Sequence, residues 1–246
     1  MYKLCELNET EISAVYDSYM VEDFPDNERK PLSMILEGVR EGRYVCYGLF
    51  EEDARAEVCL FDAENSDSEG RLFDAENGDS ERCLFDAENG DSERCLFDAD
   101  KVLGYAFLAF SKDVKDEVLL DYLAVRKDLR DRGLGSEILK QLTLTLPGLR
   151  SLIVEAEDPD RESDAEELAI RNRRIRFYTG NGLQDLKVTV WLYYVYYRLL
   201  EFRKDGSPTD PEALRRSYDR IIRSMMSADR ANRMLKLYPD KEPFGE

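Results

Sequence analysis

Residues 117–157 constrain the fold most strongly. Residues 117–125 (EVLLDYLAV) are an apolar run rich in strand formers. Residues 135–146 carry helical spacing and stop at Pro147-Gly148, and residues 151–157 (SLIVEAE) read as strand again. A strand, a loop, a helix and a second strand in that order make a crossover unit, the building block of an α/β protein. The flanking segments extend this order. Residues 2–7 alternate enough for a first strand, and Asn8-x-x-Glu11 supplies the N-terminus of a helix over residues 12–23, which Pro25 ends. A second helix is predicted for residues 31–40, ended by Glu41-Gly42, followed by a strand at 43–51 whose partner is 102–111. Downstream, Ser163-x-x-Glu166 reads as a capping box opening a helix that lasts to Tyr178 and is ended by Gly180 and Gly182. Two strands follow at 186–192 and 195–202. Thr209-Asp210-Pro211-Glu212 then starts a helix whose apolar stripe is Leu214, Tyr218, Ile221, Ile222 and Met225.

An internal repeat interrupts this order. Leu60-Phe61-Asp62-Ala63-Glu64-Asn65 recurs from Leu72, from Leu84 and, truncated, from Leu96, a period of 12 residues. Cys59, Cys83 and Cys95 share one register of the unit, so three of the five cysteines come from repeat copying rather than from a thiol cluster. Residues 51–100 hold 18 acidic and 4 basic residues, a balance of −14 out of the chain's −18, which leaves −4 for the other 196 residues. The acidity therefore belongs to the insert and says little about any site elsewhere. A calcium reading fails on spacing: Asp74, Glu76 and Gly78 put glycine fifth, and no bidentate glutamate falls at position twelve. The Asn77-Gly78 and Asn89-Gly90 pairs suit tight turns, but the resulting hairpins would set like charges opposite one another. An acidic loop, disordered or loosely hairpinned, is the expectation for residues 53–100. The domain reading is thus a main domain over 1–204, interrupted by this insert, and a helical extension over 205–246.

Composition excludes several chemistries. The chain has no histidine, which closes Ser-His-Asp and Cys-His nucleophile systems and His-ligated zinc. The net negative charge argues against nucleic acid or an anionic membrane as a partner of the general surface. The first residues lack the pattern of a signal peptide, no run reaches transmembrane length, and no two cysteines form a C-x-x-C pair, so a reduced cytoplasmic setting is expected.

The chemistry concentrates after the strand Leu123-Ala124-Val125, in Arg126 to Ser136 (RKDLRDRGLGS). Glycines let a backbone approach a ligand, exposed amides at a helix N-terminus point outward, and the helix dipole adds positive character. Together these suit a pyrophosphate, and Arg130 and Arg132 add to the field. Arg130-x-x-Gly133-x-Gly135 after a Leu-Ala-Val strand resembles the acetyl-CoA signature of the GNAT superfamily of N-acetyltransferases. Asn172-Arg173-Arg174-Ile175-Arg176-Phe177-Tyr178-Thr179-Gly180-Asn181-Gly182-Leu183 is similar to that family's later helix, usually Asn-x-x-Ala-x-x-Phe-Tyr-x-x-x-Gly-Phe. Ile175, Leu183 and Gly180 depart from the pattern without removing a reactive group. The resemblance implies a mixed, mostly antiparallel central sheet flanked by helices, with the repeats in the connection between its second and third strands.

The same resemblance implies acetyl-CoA as acetyl donor, no metal, and direct attack by a primary amine in a ternary complex. The backbone of Leu123, Ala124 and Val125 would hold the pantetheine arm. The segment Arg130, Asp131, Arg132, Gly133, Leu134, Gly135 and Ser136 would hold the pyrophosphate, and Asn172 would contact the cofactor. The Leu123 amide would meet the oxyanion, and Tyr178 would protonate the departing thiolate; a phenol remains a proton donor at neutral pH, its ordinary pKa being about 10. An incoming amine must lose a proton, and Glu155 and Asp121 are the candidate general bases. Glu28, in the segment joining the first two helices, is placed to meet a cationic amine or to pair with Arg29. The acceptor, a small molecule or a protein amine, is left open by the sequence, as is a homo-oligomer. Two alternatives stand beside this enzyme: a non-catalytic acyl-CoA sensor, and an interaction protein whose acidic repeat is the working part.

Overall fold

A computed structural model of the chain describes residues 1–26, 28–52 and 97–239. The repeats, apart from the last residues of the truncated copy, lie outside the described residues. Among the described residues eight strands form one sheet in the order β1-β2-β3-β4-β5-β7-β6-β8. They are β1 (Tyr2–Glu6), β2 (Tyr44–Glu51), β3 (Gly104–Phe110), β4 (Glu117–Val125), β5 (Ser151–Glu157), β6 (Gln184–Leu192), β7 (Val195–Arg203) and β8 (Leu235–Lys236). Only β4 and β5 pair in parallel; every other neighbouring pair is antiparallel. The helices are α1 (Glu9–Val15), α2 (Leu32–Arg40), α3 (Leu134–Thr145), α4 (Ala165–Gly180), α5 (Pro211–Ser224) and α6 (Ala228–Met234). This is the mixed, mostly antiparallel sheet with flanking helices that the sequence implies.

Alternation along the strands divides the core between the two faces of the sheet. On one face Phe107, Leu119, Ile153, Val190 and Leu199 meet α1, α2 and α5 through Ile12, Ile35, Leu214, Tyr218 and Ile221. On the other, Leu108, Leu120, Leu152, Val154 and Leu200 meet α3 through Leu134, Ile138 and Leu142, with Ile175 and Phe177 of α4 packed alongside. Helix α5 is further tied down by Arg215, which donates to the Thr189 carbonyl at 2.7 Å, and by Ser224, which donates to that of Phe110 at 3.0 Å.

Local chemistry accounts for most boundaries. Asn8 and Glu11 form a reciprocal capping box that opens α1. The helical path then continues through a π-helical turn (Tyr16–Met20) and a last turn (Val21–Asp23) before Pro25. Gly42 at φ +64° ends α2's exit turn. One cap differs from expectation. The N-cap of α4 is Asp164, not Ser163: the Asp164 carboxylate accepts from the amides of Glu166 and Glu167, while the Ser163 amide donates to Glu162. An ionised acceptor at the positive end of a helix outcompetes a hydroxyl. The same helix runs two residues beyond Tyr178, to Gly180, and Gly182 at φ +89° makes the turn that follows. Beyond α5, the sequence reading does not anticipate α6 or β8, which returns to pair with Trp191 and Leu192.

Candidate active site

The site begins where β4 and β5 part. Their parallel pairing runs from Glu117 with Ser151 to Leu120 with Val154 and goes no further. Beyond it, β4 stays with β3 and β5 stays with β7, so a slit opens between 121–125 and 155–157. A β-bulge sits at the parting. Phe107 pairs with Tyr122 but Leu108 pairs with Leu120, which makes Asp121 the extra residue on β4. Side chains of Asp121 and Tyr122 consequently share a face, and Asp121 and Glu155 are the first residues of each strand past the last pair.

The bulge also decides where the β4 backbone points. The Arg126 amide donates to the Leu103 carbonyl in the register that pairs Gly104 with Val125. Alternate residues of an antiparallel strand bond to the same neighbour, so Ala124 and Arg126 face β3 while the amides of Leu123 and Val125 face the slit. Along the α3/α4 face, the strand runs into a 3₁₀ turn (Lys127–Leu129), and Asp131 and Gly133 adopt left-handed conformations at φ +62° and +81°. Gly133 is the N-cap of α3, and among the described residues no side chain caps that helix, so the amides from Gly133 to Ser136 retain their donors for a ligand. By contrast, Asp164 caps α4 and Asp210 caps α5. A Cβ on Gly135 would lie 3.1 Å from the Phe177 ring, so glycine here permits α4 to pack against the start of α3.

The arginines of the loop are partly committed. Arg130 Nε donates to the Val125 carbonyl at 3.2 Å and its guanidinium pairs with Asp23 at 3.1 Å, while Arg132 donates to the Asp128 carbonyl. Asp23 also accepts from the Tyr105 hydroxyl, so the end of the first helical segment is fastened to the loop. Asn172 donates its amide to the Leu168 carbonyl at 2.9 Å. Half-buried Tyr178 sits edge-on to Phe177, with ring centroids 5.1 Å apart, and among the described residues its hydroxyl has no hydrogen-bond partner. Burial first, and Glu155's charge second, push the phenol up to about 12 against the opposing effect of Arg174.

The opposite face holds the carboxylates, and the structure separates their environments. Asp121, whose side chain is 3% exposed, receives Lys30 Nζ on both oxygens at 2.7 Å and the Tyr44 hydroxyl on one. Burial alone would lower the pKa of the Lys30 ammonium, but the Asp121 carboxylate reverses this and raises it. Among the described residues Glu155 instead accepts one hydrogen bond, from the Tyr218 hydroxyl to Oε2 at 2.5 Å. Burial raises its carboxyl to about 7, aided by Asp121's charge and opposed by the Tyr218 hydrogen bond and by Lys30. A carboxylate that titrates near neutrality is suited to take a proton; one clamped by an ammonium and a phenol is not.

Lys30, Tyr44, Tyr122 and Tyr218 are absent from the sequence-derived site. Tyr122 builds the loop that delivers Lys30: its hydroxyl accepts from the Lys30 amide at 2.8 Å and donates to the Glu28 carbonyl at 2.9 Å, while Phe24 packs edge-on to its ring. Glu28 does not take Arg29, which pairs with Asp26; burial and then Glu157's charge raise the Glu28 carboxyl. One signal for Tyr218 exists in the sequence, since it carries the only hydroxyl among the five apolar-stripe positions of α5, and a buried phenol needs a partner. Among the described residues no cluster of Cys, Asp and Glu is arranged to hold a metal ion. A surface cavity of about 560 Å³ beside Lys112, Arg216 and Arg220 is lined by none of the groups above.

Comparison with known proteins identifies the family. The sequence model of the acetyltransferase (GNAT) family matches residues 3–163. The chain belongs to that family, which makes it an acyltransferase; Asn172, Tyr178 and Tyr218 lie beyond the matched residues. No curated protein matches it. A solved structure from Bacteroides thetaiotaomicron, described as a GNAT-family acetyltransferase, is 18% identical with a TM-score of 0.51, covering 85% of this chain and 89% of its own. The Escherichia coli ribosomal-protein-S18-alanine N-acetyltransferase is 16% identical with a TM-score of 0.45, over 85% and 97% of the two chains. Arabidopsis thaliana NAA60 in complex with acetyl-CoA is 11% identical with a TM-score of 0.49, over 84% and 100%.

Proposed function

We propose that this acyltransferase moves an acetyl group from acetyl-CoA to a primary amine, by direct attack across the slit between β4 and β5. The observation that carries the reading is the slit itself. It has uncapped helix amides and the unpartnered Tyr178 hydroxyl on one face, and a carboxylate titrating near neutrality on the other. The amides of Gly133, Leu134, Gly135 and Ser136 suit a pyrophosphate, with Asp131 shaping the loop that presents them. The slit-facing backbone of Leu123 and Val125 suits the amide-bearing pantetheine arm, and Asn172 borders the same face. When bound, acetyl-CoA supplies an activated thioester carbonyl.

The chain's residues then divide the work. Glu155 takes a proton from the ammonium of the acceptor, directly or through a water, freeing the nitrogen lone pair. The Leu123 amide donates to the carbonyl oxygen as negative charge develops on it. Tyr178 serves the departing sulfur. A phenol near 12 is a weaker acid than a thiol, ordinarily about 8.5, so its main contribution is a hydrogen bond to the developing thiolate, with complete proton transfer the smaller part. Glu28 favours a cationic acceptor, while Glu157 is engaged by Arg171 and Arg174. Asp121 holds Lys30 in place.

Ser136→Asp tests the reading. A carboxylate in the first turn of α3 favours the helix dipole, by about 0.3–1 kcal/mol, yet repels a pyrophosphate. Calorimetry should show acetyl-CoA binding to the wild type and at least about tenfold weaker binding to the variant, with the melting temperature unchanged or raised. No binding by the folded wild type would remove the proposal.

A further inference from the structure

We propose that Tyr218 is a positioning residue for Glu155: helix α5, from beyond the residues the family model matches, brings a hydroxyl that fixes one carboxylate oxygen and leaves the other free for the amine. The inference rests on the reading of Glu155 as the base. Its evidence is geometric. Tyr218 is 0% exposed and lies between Leu214, Ile221 and Ile222, where an aliphatic or phenyl side chain would complete the stripe without burying a polar atom. The hydroxyl is 2.5 Å from Glu155 Oε2. An ionised carboxylate only accepts, so the phenol is the donor and the carboxylate's orientation is set by a helix itself anchored to the sheet through Arg215 and Ser224.

The surroundings of Glu155 show what the bond does. Asp121 on β4 faces it with a negative charge that resists ionisation, and Lys30, on the loop before α2, favours ionisation. Tyr197 of β7 and Tyr178 of α4 also lie within reach of its charge, and Tyr44 and Tyr122 stand behind Asp121. Among the described residues Tyr218 is the one group hydrogen-bonded to the carboxylate. It acts with Lys30 against burial and Asp121, holding the ionised form available at neutral pH. The base is thus shared between a strand of the main sheet and a helix 63 residues further along the chain.

Tyr218→Phe keeps the ring and removes the hydrogen bond. A hydrogen bond to a charged group is worth enough to move the acid limb of kcat/KM upward by about one unit. Turnover should fall roughly fivefold at pH 7 and converge on the wild type above about pH 9, with acetyl-CoA affinity unchanged. A ¹³C titration of the Glu155 carboxyl in the protein alone, assigned with Glu155→Gln, should show the same upward shift without any turnover being read. 3-Fluorotyrosine placed at 218, a stronger donor of nearly the same shape, should move that titration downward, which keeps the test valid if Tyr218→Phe folds poorly. An unmoved titration in both variants overturns the proposal. Wild-type turnover by Glu155→Gln would instead overturn the base assignment beneath it, a result the titration does not mimic.

Discussion

The two faces of the sheet are built in opposite ways. On the α3/α4 face, the groups that suit the donor are nearly contiguous: the slit-facing backbone of Leu123 and Val125, the left-handed Asp131 and Gly133, and the amides opening α3. On the other face, Lys30, Tyr44, Asp121, Glu155 and Tyr218 arrive from five separate segments. Binding a phosphate needs backbone amides and a dipole, which a single strand, loop and helix supply. Tuning a carboxylate toward neutrality needs burial and chosen neighbours, which only tertiary structure supplies. The first face is therefore a local motif, and the second is a property of the assembled core.

Deleting residues 209–246 breaks the comparison most severely. The deletion removes Leu214, Tyr218, Ile221 and Ile222, each no more than 1% exposed, from beneath the carboxylate face. Truncating one such residue costs about 2–5 kcal/mol, so losing four costs about 8–20 kcal/mol, as much as or more than the roughly 5–15 kcal/mol that holds a domain folded. The expected product has no cooperative thermal transition by circular dichroism. A shortened chain that melts cooperatively and still binds acetyl-CoA would show that the α3/α4 face stands without this helix.

The same contrast explains what the sequence discloses. Residues 117–125 and 151–157 are read to the residue as β4 and β5, because each is a mostly apolar run between turn signals, broken by Asp121 in one and Glu155 in the other. The loop glycines and the helix bearing Tyr178 are visible because their residue types are tied to a local backbone shape. Glu155 and Asp121 are legible only as a pair of candidates. What separates them is a bulge that pattern alone does not show, together with partners 91 and 77 residues away from Asp121 in Lys30 and Tyr44. Tyr218 reads from the sequence as packing, and it does pack; its hydroxyl's target depends on where α5 lands. The Ser163 capping box misplaces the N-cap by one residue because Ser163 and Asp164 both offer a cap, and pattern matching does not weigh a carboxylate against a hydroxyl.

Lys30→Met probes the carboxylate face without dismantling it. The substitution leaves the Asp121 carboxylate, 3% exposed, with the Tyr44 hydroxyl in place of an ammonium. Breaking a buried ion pair from one side typically costs about 3–5 kcal/mol. Lys30 keeps a quarter of its side chain in water, which places the loss toward the lower end. Urea denaturation measures it, and adding Asp121→Asn should recover part of the loss, because the stranded charge is then removed. Affinity for acetyl-CoA should hold in both variants. A Lys30→Met protein as stable as the wild type would mean that the pair is screened and that Asp121 needs no counter-charge.

The smallest expected effect concerns Glu155 and the dependence of stability on pH. Its carboxyl titrates at about 7 in the folded protein, against about 4.3 for an unperturbed glutamate. The folded state therefore holds this proton more tightly than the unfolded state does. The resulting contribution to stability is fully present below the unfolded value and declines as pH rises toward and through about 7. Glu155→Gln carries no ionisation and retains an oxygen that accepts from Tyr218, so it escapes the decline. Its melting temperature should exceed that of the wild type by a growing margin between pH 5 and pH 8, changing by about 5–10 °C over that range, since the linkage amounts to about 2.5 kcal/mol and 1 kcal/mol corresponds to about 2–4 °C in a chain of this size. Its turnover should meanwhile drop by about 10²-fold or more. Stability gained where activity is lost is the signature of a charge kept buried for its chemistry. A melting-temperature difference that stays flat with pH would place the Glu155 titration near the ordinary glutamate value and remove the electrostatic case for it as the base.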